Sequence, residues 1–460
     1  MSSRLRFLPT AYTLLRHAQG TREEISAFRN RQLRRLVTHA YENVPYYRRL
    51  FDHNGLTPKD IRNADDLAAL PVTSRRDLQS LSEKEIVARG VDPQRLIVRL
   101  TSGSSGEPLA IRRSWLEERI FDVLRLRAMR YFGLQRTDRR GNVILVRPTR
   151  IHDHQLPLKI LQALGLYRQT WIHCLSPVED IIHALRDSHP DVITGFAGVL
   201  AQVAQSIGEE ERLRIRPRFV VVGGEVLTPQ MQQQITRAFS APVFDWYGSH
   251  EFNLIAWECK ETGEMHICDD SVIVEVLKDG HPVAPGERGE VVGTALHSFA
   301  MPFIRYRLGD VVTKGSEICQ CGRPFSTLQN IQGRMIDYFA LPSGRIIHPY
   351  EIVLLLLQQE NSWIRQYQLI QEQADRIVLR VVPSTPPQRQ EVALLEKKVT
   401  ALLGQGVNFH VSLVPEIRLE PSGKFRVSRS LVQSAYDGID WDRPRTGGRP
   451  FAEQESGKPR

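Results

Sequence analysis

Apolar and polar positions alternate with a helical period over residues 21 to 42, where Leu33 and Val37 interleave with Arg29, Arg31, Arg34 and Arg35. The pattern predicts an amphipathic helix with a basic outer face, broken at Asn43-Val44-Pro45 because proline cannot donate a backbone hydrogen bond. A short helical stretch at Asp66 to Leu70 and a Pro71-Val72-Thr73 turn follow. Ile120, Val123, Leu124 and Ala128 recur at helical spacing within Glu117 to Tyr131. The middle of the chain then alternates short β-rich runs (Asn142 to Val146, Asp191 to Thr194, Arg218 to Val222, Pro242 to Asp245) with helical segments at Pro177 to Ser188, Ala197 to Ser206 and Pro229 to Phe239. That order implies crossover connections and a mostly parallel α/β sheet.

From Ser271 the texture changes. Val272 to Leu277, a Lys278-Asp279-Gly280 turn and Gly289 to Thr294 read as antiparallel hairpins. Past about Gly333, a helix at Pro349 to Gln359, strands at Arg365 to Ile370 and Arg376 to Val382, a helix at Pro387 to Leu403 and a strand at Asn408 to Val414 read as a small α+β domain. The expected division is a large domain over 1–333, with a parallel α/β part and a β-rich part, a small C-terminal domain over 334–435 and a tail over 436–460. No internal repeat is evident.

Composition refines this picture. With 460 residues, 25% charged and 41% hydrophobic, the chain reads as a globular protein of two or three domains. It has no stretch resembling a membrane span, and Met1 to Gln19 holds basic residues without a continuous apolar core, so a cytoplasmic location is the default expectation. Five cysteines are an odd number that argues against a disulfide framework. The net charge of +9 raises the question of nucleic acid, but ten arginines against three glutamates lie in residues 1 to 50 alone. A solvated helix face accounts for that excess, and no nucleic-acid partner is expected.

Candidate chemistry centres on Thr101-Ser102-Gly103-Ser104-Ser105-Gly106. Two glycines, three serines and a threonine offer backbone N–H groups and hydroxyls able to wrap a polyphosphate. The run lacks the Gly-Lys-Ser/Thr ending of a Walker loop, and a plain Ser/Gly connection would share its composition. It is expected to lie between a strand and a helix. Four later stretches sit at strand ends or turns: Val222-Gly223-Gly224-Glu225, Trp246-Tyr247-Gly248-Ser249-His250-Glu251, Arg305 to Asp310, and Pro421-Ser422-Gly423-Lys424. Ligands of open α/β sheets bind at the carboxyl ends of the strands, where the first two of these fall.

In order and spacing these motifs resemble the adenylate-forming ligases, and within them the phenylacetate-CoA ligase branch that includes capsule-biosynthesis-associated proteins, over roughly residues 25 to 435. The resemblance implies formation of an acyl-adenylate from a carboxylic acid and ATP, then transfer to a thiol, with CoA as the expected acceptor and an aromatic or aryl-acetic acid as the expected substrate. It implies that Thr101 to Gly106 hold the β- and γ-phosphates, that Gly223, Gly224 and Glu225 line the adenine side, and that Tyr247, within Trp246 to His250, stacks on the base. Glu251 matches the carboxylate that helps hold Mg²⁺ and Asp310 the one that binds the ribose hydroxyls; oxygen ligands suit this hard cation. Arg334 and Asp337 match the junction of the two domains, Asp337 being the hinge, and Lys424 matches the lysine that stabilises charge as the carboxylate attacks the α-phosphate. Relatives often carry a lysine after the phosphate loop; Glu107 stands there in this chain, which restricts the loop to backbone and hydroxyl contacts. Dimers occur among relatives, so a homodimer is compatible with the resemblance.

Cys319-Gln320-Cys321 and Cys259-(x)6-His266-Ile267-Cys268 offer two sulfur pairs and an imidazole suited to tetrahedral zinc, with Cys259, His266, Cys319 and Cys321 as the expected ligands and Cys268 as a substitute. The other reading is a set of reduced, buried cysteines. Cys174 is read as core. The acid pocket is expected to draw on Tyr131, Phe132, Phe196, Ala197 and the Gly224 region. Two further functional readings stand beside the thiol ligase: the same adenylation with an amine or carrier-protein acceptor, and a nucleotide-binding or basic surface-binding module without turnover.

Overall fold

The structure is a computed structural model and describes residues 3–100, 109–144, 161–174, 176–224, 227, 229–333, 339–343, 345–347, 349, 352, 355–356, 361, 363–417 and 428–432. Helix Arg22–Asn43 forms where the sequence predicts it; Thr21 and Glu24 close a capping box at its start, and Pro45 lies just past its end. Its basic face is occupied locally: Arg31 lies over Phe28, Arg34 donates to the Arg62 carbonyl and Arg35 to Gln32.

Strands β1 (Ile97–Leu100) and β2 (Ala110–Arg113) form an antiparallel hairpin, and helix Trp115–Phe132 begins only after it. Residues 101–108 therefore join two paired strands, where a strand-to-helix connection was expected. The helix begins at Ser114, which caps Glu117, and ends at Gly133, whose φ of 108° other residues rarely adopt.

A single sheet of 12 strands organises the large region. Its parallel part contains β3 (Arg140–Ile144), β4 (Gln169–His173), β5 (Val192–Gly195), β6 (Phe219–Gly223) and β7 (Val243–Ser249), in the spatial order β4-β3-β5-β6-β7. Helices Val178–Ser188, Ala197–Ser206 and Pro229–Phe239 pack on one face around Val220, Val222 and Leu200. Helix Trp115–Phe132 covers the other face, against Phe219 and Val221. Every residue of β6 is buried, as expected of a strand covered on both faces.

The antiparallel part starts earlier than Ser271. Strand β8 (Asn253–Glu258) already runs back against β7, with Trp246 opposite Trp257 and Ser249 opposite Asn253. Leu254-Ile255-Ala256-Trp257 is apolar on both faces, so it lacks the alternation that marks a half-exposed strand. The sheet continues through β9 (Met265–Ile267), β10 (Val272–Lys278), β11 (His281–Pro282), β12 (Arg288–Ala295), β13 (Tyr306–Lys314) and β14 (Thr327–Gly333), so the parallel and β-rich parts share one hydrogen-bonded sheet.

Past a small hairpin of β15 (Phe339–Ala340) and β16 (Ile346–Ile347) lies a second, four-stranded sheet in the order β19-β18-β17-β20. It comprises β17 (Ile364–Gln373), β18 (Arg376–Pro383), β19 (Asn408–Leu413) and β20 (Ser428–Ser430), with helix Arg389–Leu403 crossing from β18 to the parallel β19. Leu369, Leu379, Leu395, Val399 and Phe409 form a hydrophobic core of their own. Most of the expected helix at Pro349 to Gln359 lies outside the described residues. Among the described residues, no helix is long and apolar enough to cross a membrane.

Candidate active site and a cysteine–histidine cluster

The carboxyl ends of β6 and β7 bring two glycine-bearing motifs side by side, with Gly223 opposite Trp246. A Cβ on Gly223 would fall 2.0 Å from the Trp246 ring, so glycine is what lets the indole lie against the strand. Gly224 follows at φ +78° beside Phe196, and a Cβ on Gly248 would meet the Asn253 carbonyl at 2.4 Å. These three glycines make a close-packed floor at the strand ends, with Trp246, Phe196 and Asn253 lying where side chains would otherwise stand.

Two tyrosine–carboxylate contacts bring in distant residues. The Tyr247 hydroxyl donates to Asp310 at 2.6 Å, and the Tyr306 hydroxyl donates to Glu251 at 3.4 Å. Both carboxylates are buried, Glu251 at 2% exposure and Asp310 at 7%. In sheet order β14, β9 and β8 separate β7 from β13, so the antiparallel part must curl to make the first contact. Tyr306 stands inside the Arg305 to Asp310 stretch, yet its residue type alone does not announce this contact. Arg305 acts elsewhere: it pairs with Glu275 and donates to the Ala68 and Leu70 carbonyls, which fixes residues 65 to 73.

The hairpin below residues 101–108 is tied to the same place. Arg113 on β2 donates to the His250 carbonyl and pairs with Glu118 at 3.4 Å, and Arg99 on β1 pairs with Glu118 at 3.6 Å. Burial works to raise the Glu118 carboxyl, but Arg113 and Arg99 reverse this and hold it below its ordinary value. Thr101 to Gly106, Glu225, Arg334, Asp337 and Lys424 lie outside the described residues. The structure thus joins Gly223, Gly224, Trp246, Tyr247, Gly248, Ser249, His250, Glu251 and Asp310 into one site.

Cys259, His266, Cys319 and Cys321 form a second centre, with one ligand atom from each lying within 4.8 Å of every other. The Cys319 and Cys259 sulfurs are 3.8 Å apart and Cys321 Sγ is 3.3 Å from His266 Nε2. Two sulfurs each about 2.3 Å from a tetrahedral zinc would be separated by roughly 3.8 Å, so the donor set fits the ion. Cys268 stands apart; it is fully buried, and burial pushes its thiol up to about 12.

Tyr131 belongs to this centre, which revises its expected place in an acid pocket. Its hydroxyl contacts Cys259 Sγ at 3.5 Å and accepts from the Lys260 amide at 3.0 Å, and Arg323 lies 4.5 Å from its ring centre. Phe132 is likewise taken up, stacking on Phe244 at 4.6 Å, and Ala197 is buried in the core on the opposite sheet face. Of the expected pocket, Phe196 and Gly224 remain together.

The chain is similar to several known proteins. Residues 340–430 match the family model described as the CapK C-terminal domain. Over 444 residues the chain is 26% identical to the phenylacetate-coenzyme A ligase of Thermus thermophilus, covering 88% of this chain and 94% of that one. It is 23% identical over 420 residues to Protein CapK of Staphylococcus aureus, covering 89% and 90%. The solved structure of 2-hydroxyisobutyryl-CoA ligase in complex with 2-HIB-AMP and CoA has the same fold, with a TM-score of 0.63 at 21% identity over 90% of this chain and 92% of that one. The large mixed sheet followed by a small α+β unit is thus the fold seen in that solved ligase structure. Within that fold, the chain is similar to the phenylacetate-coenzyme A ligases and to CapK, and its C-terminal residues match the CapK model.

Proposed function

We propose that the chain activates a carboxylic acid with ATP, releasing pyrophosphate, and passes the acyl group to CoA. The observation that carries this reading is that β13 is tied to the end of β7 twice, Asp310 by Tyr247 and Tyr306 by Glu251, next to the Gly223–Trp246 pairing. The names of the relatives support the same chemistry. In this reading the adenine lies along Gly223, Gly224 and Glu225 and against Tyr247, Asp310 takes the ribose hydroxyls, and residues 101 to 106 take the phosphates. Glu251 is the carboxylate for Mg²⁺, whose contribution when bound is to neutralise phosphate charge.

Lys424 and Arg334 complete the arrangement from the C-terminal side. An ammonium held near the α-phosphate stabilises charge that builds up only as the acid attacks, and bound water cannot be oriented for that task in advance. Residues 1–333 and 334–435 act as two units joined at Asp337; the separate core around Leu369, Leu379 and Leu395 supports this division. The acid is aromatic or aryl-acetic in this reading, with Phe196 and Gly224 beside it. Zinc held by Cys259, His266, Cys319 and Cys321 is structural, since four protein ligands leave no open position for a substrate.

Pyrophosphate release dependent on the added acid, followed across aromatic, hydroxy-aromatic and aliphatic acids, tests the first step. Acyl-CoA formation tests the second. Release without an acyl-CoA product would move the acceptor to a carrier protein or an amine. Salt-sensitive binding to anionic vesicles with no turnover would favour the non-enzymatic alternative.

A further inference from the structure

The guanidinium of Arg113 joins three elements. It projects from β2, the second stem of the hairpin bearing residues 101–108, and is 3% exposed. One nitrogen reaches Glu118 on the following helix at 3.4 Å, and Glu118, also 3% exposed, takes Arg99 from the first stem as well. The carboxylate thereby gathers both hairpin strands onto the helix. Another nitrogen donates to the carbonyl of His250, and the face of the group lies 4.6 Å from the Phe121 ring centre. The Arg113 guanidinium and the Glu118 carboxylate are both buried, so little solvent competes for this pair.

That carbonyl belongs to the peptide unit linking His250 to Glu251. Because the unit is planar, fixing its oxygen also fixes the nitrogen from which the Glu251 backbone departs. The restraints on Glu251 include its own peptide, held by Arg113, and its carboxylate, held by the Tyr306 hydroxyl. A lysine could not reproduce the first, since a single ammonium lacks the planar fork that serves a carboxylate and a carbonyl together.

We propose that Arg113 is a positioning residue that sets the His250–Glu251 peptide and so couples the placement of the Glu251 carboxylate to the hairpin bearing residues 101–108. The inference rests on the adenylation reading above, in which Glu251 serves Mg²⁺ and the loop serves the phosphates.

Calorimetric titration with ATP, with and without Mg²⁺, tests it on the full chain carrying Arg113→Gln, Glu251→Gln or both. Arg113→Gln is expected to weaken Mg²⁺-dependent ATP binding about tenfold, and to change it less than about twofold once Glu251 is already glutamine. Equal losses in both backgrounds would mean that Arg113 supports the fold alone, and would overturn the inference while leaving adenylation intact. ATP binding by the native chain that is absent or indifferent to Mg²⁺ would overturn both. Arg113→Lys keeps the charge beside Glu118 and serves where the glutamine variant fails to fold. It is expected to melt near the native temperature yet show the same dependence on the residue at 251; native affinity in this variant would overturn the inference.

Discussion

Tyr247 follows Trp246 on β7, and its hydroxyl holds Asp310 at 2.6 Å. A hydrogen bond to a charged group contributes about 1.5–3 kcal/mol net, which corresponds to about tenfold or more in affinity. Tyr247→Phe is therefore expected to raise the KM for ATP about tenfold in steady-state pyrophosphate release while leaving the KM for the acid nearly unchanged. An unchanged ATP KM would move Asp310 away from the nucleotide. Lys424 offers the complementary test, since the role proposed for it concerns the transition state. Lys424→Ala should lower the rate of adenylation by about 10²-fold or more, yet leave acyl-CoA formation from supplied acyl-adenylate largely intact. Much of the candidate site was readable as residues: glycines before an aromatic and a carboxylate after it carry their chemistry in their identity. Tyr306 and Arg113 were not readable, because their contributions come from partners 55 and 137 positions away in the chain.

Among the elements, the hairpin β1–β2 and the turn at Cys319–Cys321 show what local pattern can and cannot give. Loop composition pointed to phosphate chemistry, but strand pairing across residues 101–108 depends on a return strand whose four residues, Ala110 to Arg113, carry too little alternation to stand out. The two-cysteine turn announced soft-metal chemistry by itself, yet the turn did not reveal that Tyr131, at the far end of helix Trp115–Phe132, closes over Cys259. Elemental analysis of protein purified without chelator is expected to find one zinc per chain, and Cys321→Ser to lower the zinc content. Structural zinc sites show apparent binding free energies of about 10–16 kcal/mol, so chelation should reduce the melting temperature markedly, and zinc should restore it. A metal-free native protein with an unchanged melting point would reduce the cluster to four packed side chains.

At the scale of the whole molecule, the N-terminal segment is fastened to the sheet by buried charge. His17 contacts Asp270 at 2.8 Å, Arg127 donates to the same carboxylate and to the Leu14 carbonyl, and His297 lies against the Asp270 carbonyl at 3.0 Å. Burial works to raise the Asp270 carboxyl, but Arg127 and His17 hold it well below the usual range, so its titration falls under pH 3.8. His297 is different: burial lowers it from 6.5 to about 4. Above pH 6.5 the imidazole is neutral whether the chain is folded or not, and the fold has its full stability from this group. Between 6.5 and 4 the unfolded chain takes up a proton that the folded chain refuses, so stability falls as pH falls; below about 4 the loss is complete. Glu117 acts in the opposite sense, because burial raises its carboxyl and its contribution is lost as pH rises above 4.5. His297→Gln separates the two, since it removes the imidazole and leaves Glu117 untouched. The difference in melting temperature between the native chain and this variant should shift against the native chain as pH drops from 6.5 towards 4, and parallel profiles would contradict a buried neutral His297.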